Sequence, residues 1–560
     1  MEPVRFRVAL GALVGLYLLI ELVYVGRLPL AMDEFQFASE IERLRSAVPY
    51  RDFPPYKNLL GFYLQSVPLA VGRWLGLGPW NDLILLKASM AIAVALTIFW
   101  IADRLRAFFD ERSILQATAL LVVMSTFLER SGVIRVEMLA SLLGLGGALF
   151  LLRGRAMASG LLVGLAFLVT QKAIYFVLAV GAAFAFECLA RRGREGSGRA
   201  LLTFALSVLA PVVLYFGAFT LVAGVDRVWQ AMFVDSSQVA LWTDYSDKRL
   251  EFWQQTISRN PVFYLLGVAG IGCLLAPPLA ARRPVDDRRR FAVHSLVLLA
   301  LCLWHRQPWP YFFVMLIPTL WITSITSFEA LSRWRPSGSP RLARAVVALV
   351  ILLGMGIPLS RVPTVLARDN GYQRSNFEVL DRLVGPGETY LAGTDILYHR
   401  PPQPRPVRWL DRRRMAEIEA QSPEERRAFM LELHAAPIKA VVANFRTDEL
   451  PEELHRYLGI RFRPMFGSIS TAAPQCDRET SRVAIRFAGE YLLHVSPGTS
   501  RVEIDGQSVA PGTRILLSSG VHRAELDGYC QLQVVLADLP NIADARFAER
   551  RPFFEDVYDY

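Results

Sequence analysis

An acidic pair, Asp33-Glu34, is the first place where this sequence offers groups for catalysis. It follows residues 8–26, an apolar segment long enough to cross a bilayer, which takes about 20 residues of helix. A carboxylate just beyond such a helix can act as a general base, because it can take a proton from a hydroxyl or amine as that group attacks a carbon atom. The alternative interpretation is a solvated loop charge.

Aromatic and basic residues follow the acidic pair. Tyr56 and Lys57 lie in the stretch VPYRDFPPYKNLLGFYL, where the rings can stack on a sugar and the ammonium can bind an anion. Lys172 lies in LVTQKAIYF, between two apolar segments. An ammonium at that boundary can neutralise the phosphate of a lipid-linked substrate. A lysine that snorkels to the membrane surface is the alternative.

Arg135 and Glu137 open another apolar segment, within FLERSGVIRVEMLA. Ionisable groups inside a span are costly and usually face a cavity or a partner. Arg135 is therefore a candidate for phosphate binding and Glu137 for binding a sugar hydroxyl. Because positions 135 and 137 do not share a helix face, we expect no direct pair between them unless the helix begins later. A structural ion pair with another loop is the alternative.

Two further segments carry candidate residues. LWHRQPWPYFFVMLIP places His305, Arg306 and Tyr311 before an apolar segment, where they suggest phosphate or sugar contact. For the rings, an ordinary interfacial aromatic belt is the alternative. Trp242 and Tyr245, in the second long loop, are candidates for acceptor binding. The sequence has no phosphate-binding loop, no GxSxG motif and no zinc-type His/Cys spacing, so we predict no cofactor and leave a divalent metal open.

Composition places these residues in a membrane protein. Of 560 residues, 53% are apolar, and the long apolar runs fall before residue 361. Much of the net charge of +10 comes from arginines in short loops between those runs, where charge sets topology and does not indicate nucleic acid. Arginine-rich loops lie on the cytoplasmic side of a membrane. We therefore predict a protein of the inner (plasma) membrane with its N-terminus in the cytoplasm and residues 361–560 on the periplasmic or extracellular side.

The apolar runs predict a polytopic α-helical domain over residues 1–360, with about eleven transmembrane helices. Their predicted bounds are 8–26, 82–101, 113–128, 134–152, 157–170, 173–190, 200–222, 261–280, 291–304, 309–328 and 342–360. Residues 59–76 are also apolar but contain Pro68 and Arg73, so we predict a helix that lies in the membrane interface.

The rest of the chain has the pattern of an exported soluble region. From 361 to 475, helical patterns alternate with short β-rich runs, which predicts an α/β domain. From 476 to 560, short strands separated by glycine-containing turns predict a small β-sandwich-like domain. Cys476 and Cys530 could form a disulfide if this region is exported, and two separate thiols are equally compatible with the sequence.

These motifs resemble the GT-C superfamily of integral-membrane glycosyltransferases, in particular its bacterial branch related to protein O-mannosyltransferases and lipid A aminoarabinose transferases. The matching stretches are MDEFQFA, VPYRDFPPYKNLLGFYL, IRVEMLASLLGLGGALFLLR, GLLVGLAFLVTQKAIYF and PWPYFFVMLIPTLWI, in the family's order across residues 1–330. The resemblance implies a polyprenyl-phosphate sugar donor, inverting transfer at the outer face, and Asp33 as catalytic base with Glu34 beside it. It also implies that Lys57 and Lys172 lie near the donor phosphate and that Arg135-x-Glu137 is the family's Arg-x-acid element at the start of the fourth span.

We therefore predict a glycosyltransferase that moves a monosaccharide from a polyprenyl-phosphate donor to a lipid, glycan or protein acceptor. Two alternatives stay open: a transporter or flippase for lipid-linked glycans, and an assembly protein whose exported region binds polysaccharide. A transporter is expected to place ionisable groups near the midplane and to show repeated halves. Most candidates here lie at the predicted outer boundary, and no repeat is visible. Within the enzyme class, a polysaccharide polymerase or ligase is a further alternative.

Overall fold

The computed structural model describes residues 2–55, 57–190, 197–238, 246–275, 285–307, 309–334, 340–400, 403–404, 407–476, 479–497, 502–526, 528–539 and 544–554. The chain forms two compact units. The membrane unit comprises Met1–Leu28 and Arg43–Arg368, and the second unit comprises Pro29–Glu42 and Asp369–Tyr560. The second unit is therefore built from two separate stretches of the chain. The domain limits at residues 360 and 475 stay a prediction.

The first two thirds of the chain are helical. In chain order the helices are α1 (Pro3–Arg27), α2 (Met32–Arg43), α3 (Leu60–Trp74), α4 (Pro79–Leu105), α5 (Glu111–Val123), α6 (Ser125–Ser131), α7 (Val136–Leu152), α8 (Ala156–Val169), α9 (Ile174–Ala190), α10 (Ser197–Ala223), α11 (Val225–Trp229), α12 (Arg249–Arg259), α13 (Pro261–Leu275), α14 (Val285–Trp304), α15 (Ile317–Arg333), α16 (Pro340–Leu359) and α17 (Val362–Leu366). Short stretches of 3-10 or π helix lie at Gln171–Ala173, Gln230–Asp235, Ser246–Lys248 and Pro310–Met315. Of these helices, α2 lies almost wholly in the second unit.

Each predicted apolar segment contains a helix, but the helices are not eleven separate spans. Among the residues that the structure describes, five helices are long and apolar enough to cross a membrane on their own. The bent pairs α5–α6 and α12–α13 bring the number to as many as seven. The polytopic helical fold is therefore confirmed, whereas the count of eleven spans is not.

The two bent pairs meet at their breaks. The axis turns by 66° between α5 and α6, at Met124, and by 102° between α12 and α13, at Asn260. A break leaves backbone groups that need partners at membrane depth. The Asn260 side chain supplies one, since its Oδ1 accepts a hydrogen bond from the Ser125 backbone nitrogen at 3.0 Å. The predicted span 113–128 is therefore the bent pair α5–α6, and Asn260, at the break of the pair α12–α13, forms a hydrogen bond at its break.

Small residues allow the helices of the membrane unit to pack closely. Where α13 crosses α15, a Cβ atom added to Gly270 would lie 1.9 Å from the Thr323 carbonyl oxygen. The Thr323 and Thr326 hydroxyls donate to the carbonyls of Gly267 and Gly270 at 2.7 and 2.9 Å. Glycine at the crossing and hydroxyl-to-backbone bonds are typical of helix pairs in membranes.

The second unit contains an α/β layer. Its further helices are α18 (Gly371–Leu383), α19 (Arg412–Glu419), α20 (Pro423–Ala435), α21 (Phe445–Asp448) and α22 (Glu452–Arg461). Its strands are β1 (Thr389–Leu391), β2 (Ile438–Val442), β3 (Phe462–Phe466) and β4 (Ile469–Ala472). They form one sheet in the order β1-β2-β4-β3, in which β1 and β2 are parallel and the other pairs antiparallel. The alternation of helices and strands that the sequence predicts here is present.

The remaining strands form two antiparallel sheets. They are β5 (Arg482–Ile485), β6 (Gly489–Val495), β7 (Val502–Ile504), β8 (Gln507–Ser508), β9 (Arg514–Leu517), β10 (Gly520–Leu526) and β11 (Cys530–Val534), in the orders β5-β10-β7-β8 and β11-β6-β9. A disulfide joins Cys476 to Cys530, whose Cα atoms are 5.4 Å apart, a usual separation for a bridge. Of the two states that the sequence left open, the structure has the bridged one.

Helix α2 is part of the core of the second unit. Phe35 is fully buried, and its ring stacks on that of Phe377 with 6.2 Å between centroids. The rings of Phe553 and Phe554 meet it edge-on at 5.8 and 5.7 Å. Aromatic pairs at these distances add to the energy of burial. The stretch that carries the acidic pair is therefore anchored by residues from the far end of the chain.

Candidate functional site

Glu137 brings three basic side chains together at the start of α7. Lys57 Nζ donates a short hydrogen bond to Glu137 Oε1. Arg135 Nε lies 3.4 Å from Glu137 Oε2, and Lys172 Nζ lies 3.7 Å from Glu137 Oε1. The sequence indicated these four residues one by one, and the structure places them in one cluster, called here the Glu137 cluster.

Different elements position the members of the Glu137 cluster. Lys57 lies in the loop before α3, and Lys172 lies in the single 3-10 turn between α8 and α9. Glu137 lies in the first turn of α7, where the helix dipole favours a carboxylate. Helix α3 approaches α7 so closely that a Cβ atom on Gly61 would lie 2.7 Å from Val136 Cγ1. A glycine at position 61 therefore allows the lysine loop to reach the start of α7.

Arg135 pairs with Glu137 because the helix begins after Arg135. Helix α7 starts at Val136, and Arg135 is its N-cap residue with an extended backbone, φ −144° and ψ 148°. This is the later start under which the sequence allowed a direct pair. Gln65 Nε2 donates to the Arg135 carbonyl oxygen at 3.3 Å and so ties α3 to the same turn.

The Glu137 cluster is buried and rich in positively charged side chains. The side chains of Lys57 and Arg135 are each 7% exposed, that of Glu137 is 1% exposed and that of Lys172 is 17% exposed. Three cationic side chains therefore meet at one carboxylate in surroundings that remove much of their hydration. Charges that leave water need a nearby opposite charge to compensate. The cluster is therefore suited to bind an anion.

Tyr311 covers this cluster with the face of its ring. It lies in the turn Pro310–Met315, and its ring centroid is 3.3 Å from Arg135 Cζ and 5.0 Å from Lys172 Nζ. Cations are attracted to the face of an aromatic ring. Tyr311 therefore orients two of the cations. The stacking on a sugar that the sequence suggested for it stays a prediction.

His305 lies beside the cluster as a neutral group. Its Nδ1 is 2.9 Å from the Tyr175 hydroxyl, and its ring stacks on Phe312 with 3.9 Å between centroids. Burial, together with the charges of Lys172 and Arg249, lowers the pKa of His305 to about 3. The ring therefore acts near neutral pH through hydrogen bonds and not through charge. Tyr175 was missed from the sequence, although it follows Lys172 by three residues, about one helical turn.

The acidic pair lies in α2, within the second unit. Glu34 is fully buried, and its Oε2 accepts a hydrogen bond from the Ala31 backbone nitrogen at 2.8 Å. It therefore satisfies a donor at the start of the helix, as a capping group does. Asp33, in the same turn, is partly exposed and is the member of the pair that solvent can reach. The catalytic roles of both residues stay predictions.

The remaining candidates are either exposed or outside the described residues. Arg306 has an exposed side chain. Tyr56, Trp242 and Tyr245 lie outside the described residues. Within the described parts of the chain, no three His, Cys, Asp or Glu side chains come together in a way that could hold a metal ion.

Comparison with solved structures identifies the fold. The chain aligns with ArnT from Cupriavidus metallidurans bound to undecaprenyl phosphate at a TM-score of 0.55 and 14% identity, over 82% of this chain and 97% of that one. It aligns with the Archaeoglobus fulgidus oligosaccharyltransferase in complex with Zn and sulfate at a TM-score of 0.50 and 14% identity, over 77% of this chain and 68% of that one. The fold is that of the GT-C membrane glycosyltransferases.

The resemblance seen in the sequence is thus confirmed for the fold. No protein-family model matches the chain, and comparison with curated proteins gives no significant match. Two of the stretches that carry the resemblance, IRVEMLA and LVTQKAIYF, meet in this chain at the Glu137 cluster. Two of the stretches that resemble the family in sequence therefore also supply charged residues of the Glu137 cluster.

Proposed function

We propose that the protein is a glycosyltransferase that takes a monosaccharide from a polyprenyl-phosphate donor and transfers it, with inversion, to an acceptor at the outer face of the inner membrane. The observation that carries this proposal is the buried Glu137 cluster within a GT-C fold. The phosphate of a polyprenyl lipid is an anion that must be recognised where hydrocarbon meets water. Buried cations that are held close together meet that requirement.

We assign Lys57, Arg135 and Lys172 to the donor phosphate. As the bond between the anomeric carbon and the phosphate oxygen breaks, its electron pair stays on the phosphate and the negative charge there grows. Cations held in place before the reaction stabilise this charge, and losing one such group typically costs roughly 100-fold or more in rate. Glu137 would keep the three cations close to one another. His305, whose buried Nε2 has no hydrogen-bond partner among the described residues, is assigned to a sugar hydroxyl.

On the acceptor side we propose Asp33 as the base, on the strength of the sequence resemblance. The acceptor hydroxyl or amine gives its proton to Asp33 as it forms the new bond to the anomeric carbon. Attack from the side opposite the phosphate inverts that carbon. A lipid phosphate is a good leaving group, so no acid is required there. Glu34, buried at the start of α2, holds the helix that carries Asp33.

The test follows release of lipid phosphate. The purified full chain in nanodiscs is given radiolabelled polyprenyl-phosphate sugars with a membrane extract as the source of acceptors. A lost hydrogen bond to a charged group costs about 1.5–3 kcal/mol. Lys172→Gln should therefore lower release by about 10- to 150-fold at low donor concentration. The matched control, Lys248→Gln, removes an exposed lysine of the membrane unit and should leave release unchanged.

The same assay separates the alternatives. Release of lipid phosphate that persists in both Lys172→Gln and Asp33→Asn would contradict the proposed function. Binding of the donor that depends on Lys172, with no release of lipid phosphate from the wild-type protein, would favour the transporter or flippase. Transfer of a whole glycan in place of a single sugar would assign the protein to the polymerase or ligase class.

A further inference from the structure

The second unit contains an open cavity of about 760 Å³ where its α/β layer meets its antiparallel sheets. The walls of this cavity include the ends of α20 and α22, the loop after β4, part of β5 and the start of β10. The residues described as lining it include none of α2 and none of the Glu137 cluster. Small-molecule sites in proteins usually have volumes of about 300–1,000 Å³. The cavity is therefore large enough for a small ligand.

Hydrogen bonds between distant parts of the chain hold the walls of this cavity in place. Arg486 Nη1 donates to the carbonyl oxygens of His434 and Ala436 at 2.9 and 2.7 Å. These carbonyls lie at the end of α20, where the helix itself offers them no partner. Gln531 Nε2 donates to the Ile460 carbonyl oxygen at 2.9 Å and so ties the end of α22 to β11. The fold itself therefore shapes the cavity, with both helix ends fixed by side chains from the sheets.

The lining of the cavity combines apolar surface with polar groups that a ligand can reach. Ile485 and Phe487 are buried apolar residues of the lining. The ring of Tyr457 is half-buried, and among the described residues its hydroxyl has no hydrogen-bond partner. Gln475 adds an exposed amide. A sugar ring has an apolar C–H face and a rim of hydroxyl groups, so aromatic surface with a few polar groups suits it on both counts.

The ionised side chains that line the cavity are positive. They are Arg461 and Arg486, and within the described part of the chain no Asp or Glu lines the cavity. Arg461 Cζ lies 5.0 Å from the centroid of the Tyr457 ring, a distance at which the ring attracts a cation. No carboxylate of the described residues contacts the Arg461 guanidinium. Because Arg486 is engaged with the end of α20, Arg461 is the cation that an acidic ligand can bind.

We propose that this cavity binds an acidic saccharide, with a sugar ring against Tyr457 and a sugar carboxylate on the guanidinium of Arg461. A guanidinium can donate two parallel hydrogen bonds to one carboxylate. The disulfide between Cys476 and Cys530 is typical of exported domains, which meet saccharides outside the cell. The site goes beyond the proposed function, because the transfer reaction is assigned to Asp33 and the Glu137 cluster. Its test measures binding alone, so its failure is distinct from failure of the proposed function.

The experiment measures binding of trigalacturonic acid to the full chain in nanodiscs by isothermal titration calorimetry, with neutral galactotriose as the second ligand. The test variant is Arg461→Gln. Because it loses hydrogen bonds to a charged group, it should bind trigalacturonic acid about 10-fold or more weakly than the wild type does. The control is Arg456→Gln, which removes the same charge from the same helix. Arg456 pairs with Glu452 at 3.0 Å and is not among the residues that line the cavity, so the control should bind as the wild type does.

The outcomes decide both the site and the class of its ligand. No binding of trigalacturonic acid to the wild type, or equal loss in the test and control variants, would overturn the proposal. Equal affinity of the wild type for galactotriose would overturn the acidic group as the determinant. A third arm uses the peptide triglutamic acid; if it binds as tightly as the saccharide and is lost in Arg461→Gln, the saccharide as ligand is overturned. If Arg461→Gln does not fold, Tyr457→Phe removes only a hydroxyl and should still weaken binding about fivefold.

Discussion

Replacing Glu137 with glutamine tests whether the cations that it contacts are arranged for an anionic ligand. The side chain keeps its shape, but Lys57, Arg135 and Lys172 lose their shared countercharge. Contacts of 3.4 and 3.7 Å correspond to roughly 4–5 kcal/mol of Coulomb attraction each at the effective dielectric constant of a protein. Desolvation offsets much of this, and breaking a buried pair costs about 3–5 kcal/mol. We expect the free energy of unfolding to fall by about 3 kcal/mol.

Thermal unfolding with and without polyprenyl phosphate measures the effect. A lipid phosphate supplies the charge that the variant lacks, so it should stabilise Glu137→Gln more than it stabilises the wild type. At a ligand concentration 100 times Kd, binding contributes about 2.7 kcal/mol, which is close to the loss expected from the substitution. The lipid should therefore return the variant nearly to the stability of the wild-type protein without ligand.

The matched control is Glu187→Gln. Glu187 Oε2 accepts from Arg290 Nη1 at 2.9 Å, and the two side chains are 10% and 8% exposed. This substitution removes the charge of another partly buried acid in the membrane unit, away from the proposed ligand. It should lower stability without any added gain from polyprenyl phosphate. An equal gain in both variants, or no added gain in Glu137→Gln, would refute the reasoning.

Three further predictions concern the second unit. Asp33→Asn should reduce transfer by about 100-fold or more while the amount of protein in the membrane, measured by immunoblot, stays the same; near-normal transfer would remove Asp33 as base. Replacing Cys476 and Cys530 with serine opens a loop with a sequence separation of 54 and should lower the free energy of unfolding by about 4 kcal/mol, measured in denaturant; an unchanged midpoint would contradict this. The Asp505 carboxylate raises the pKa of His522, so their pairing stabilises the fold below the ordinary histidine pKa and is lost as pH rises through the raised value. An NMR titration should show a lower His522 pKa in Asp505→Asn, and an unchanged value would refute the pairing.

Local patterns in the sequence were enough to predict where the helices lie but not where they bend. Residues 113–128 contain neither proline nor glycine, so the apolar run predicts one continuous helix. At the break, the Ser125 nitrogen donates to Asn260, which is far away in the sequence. Such a contact belongs to the tertiary structure, and the period of apolar residues contains no information about it.

For the candidate site, too, the residues could be predicted from the sequence and their spatial arrangement could not. The sequence marked Lys57, Glu137 and Lys172 as candidates because a charged side chain at a membrane span is costly and usually has a role. Their convergence was not predictable, since Lys57 and Glu137 are separated by 80 residues. His305 shows a second limit: its type suggested contact with phosphate or sugar, but its neutral state follows from burial against Tyr175 and Phe312, which only the fold provides.

Because α2 is part of the second unit, the order of synthesis constrains how that unit can form. Phe35 leaves the ribosome long before its partners Phe553 and Phe554, and at common rates of translation the delay is on the order of tens of seconds. During that time Phe35 and the helix that carries it lack these two aromatic partners. A recombinant fragment that starts at Asp369 would lack this segment, and supplying residues 29–42 as a separate peptide should restore the missing part of its core.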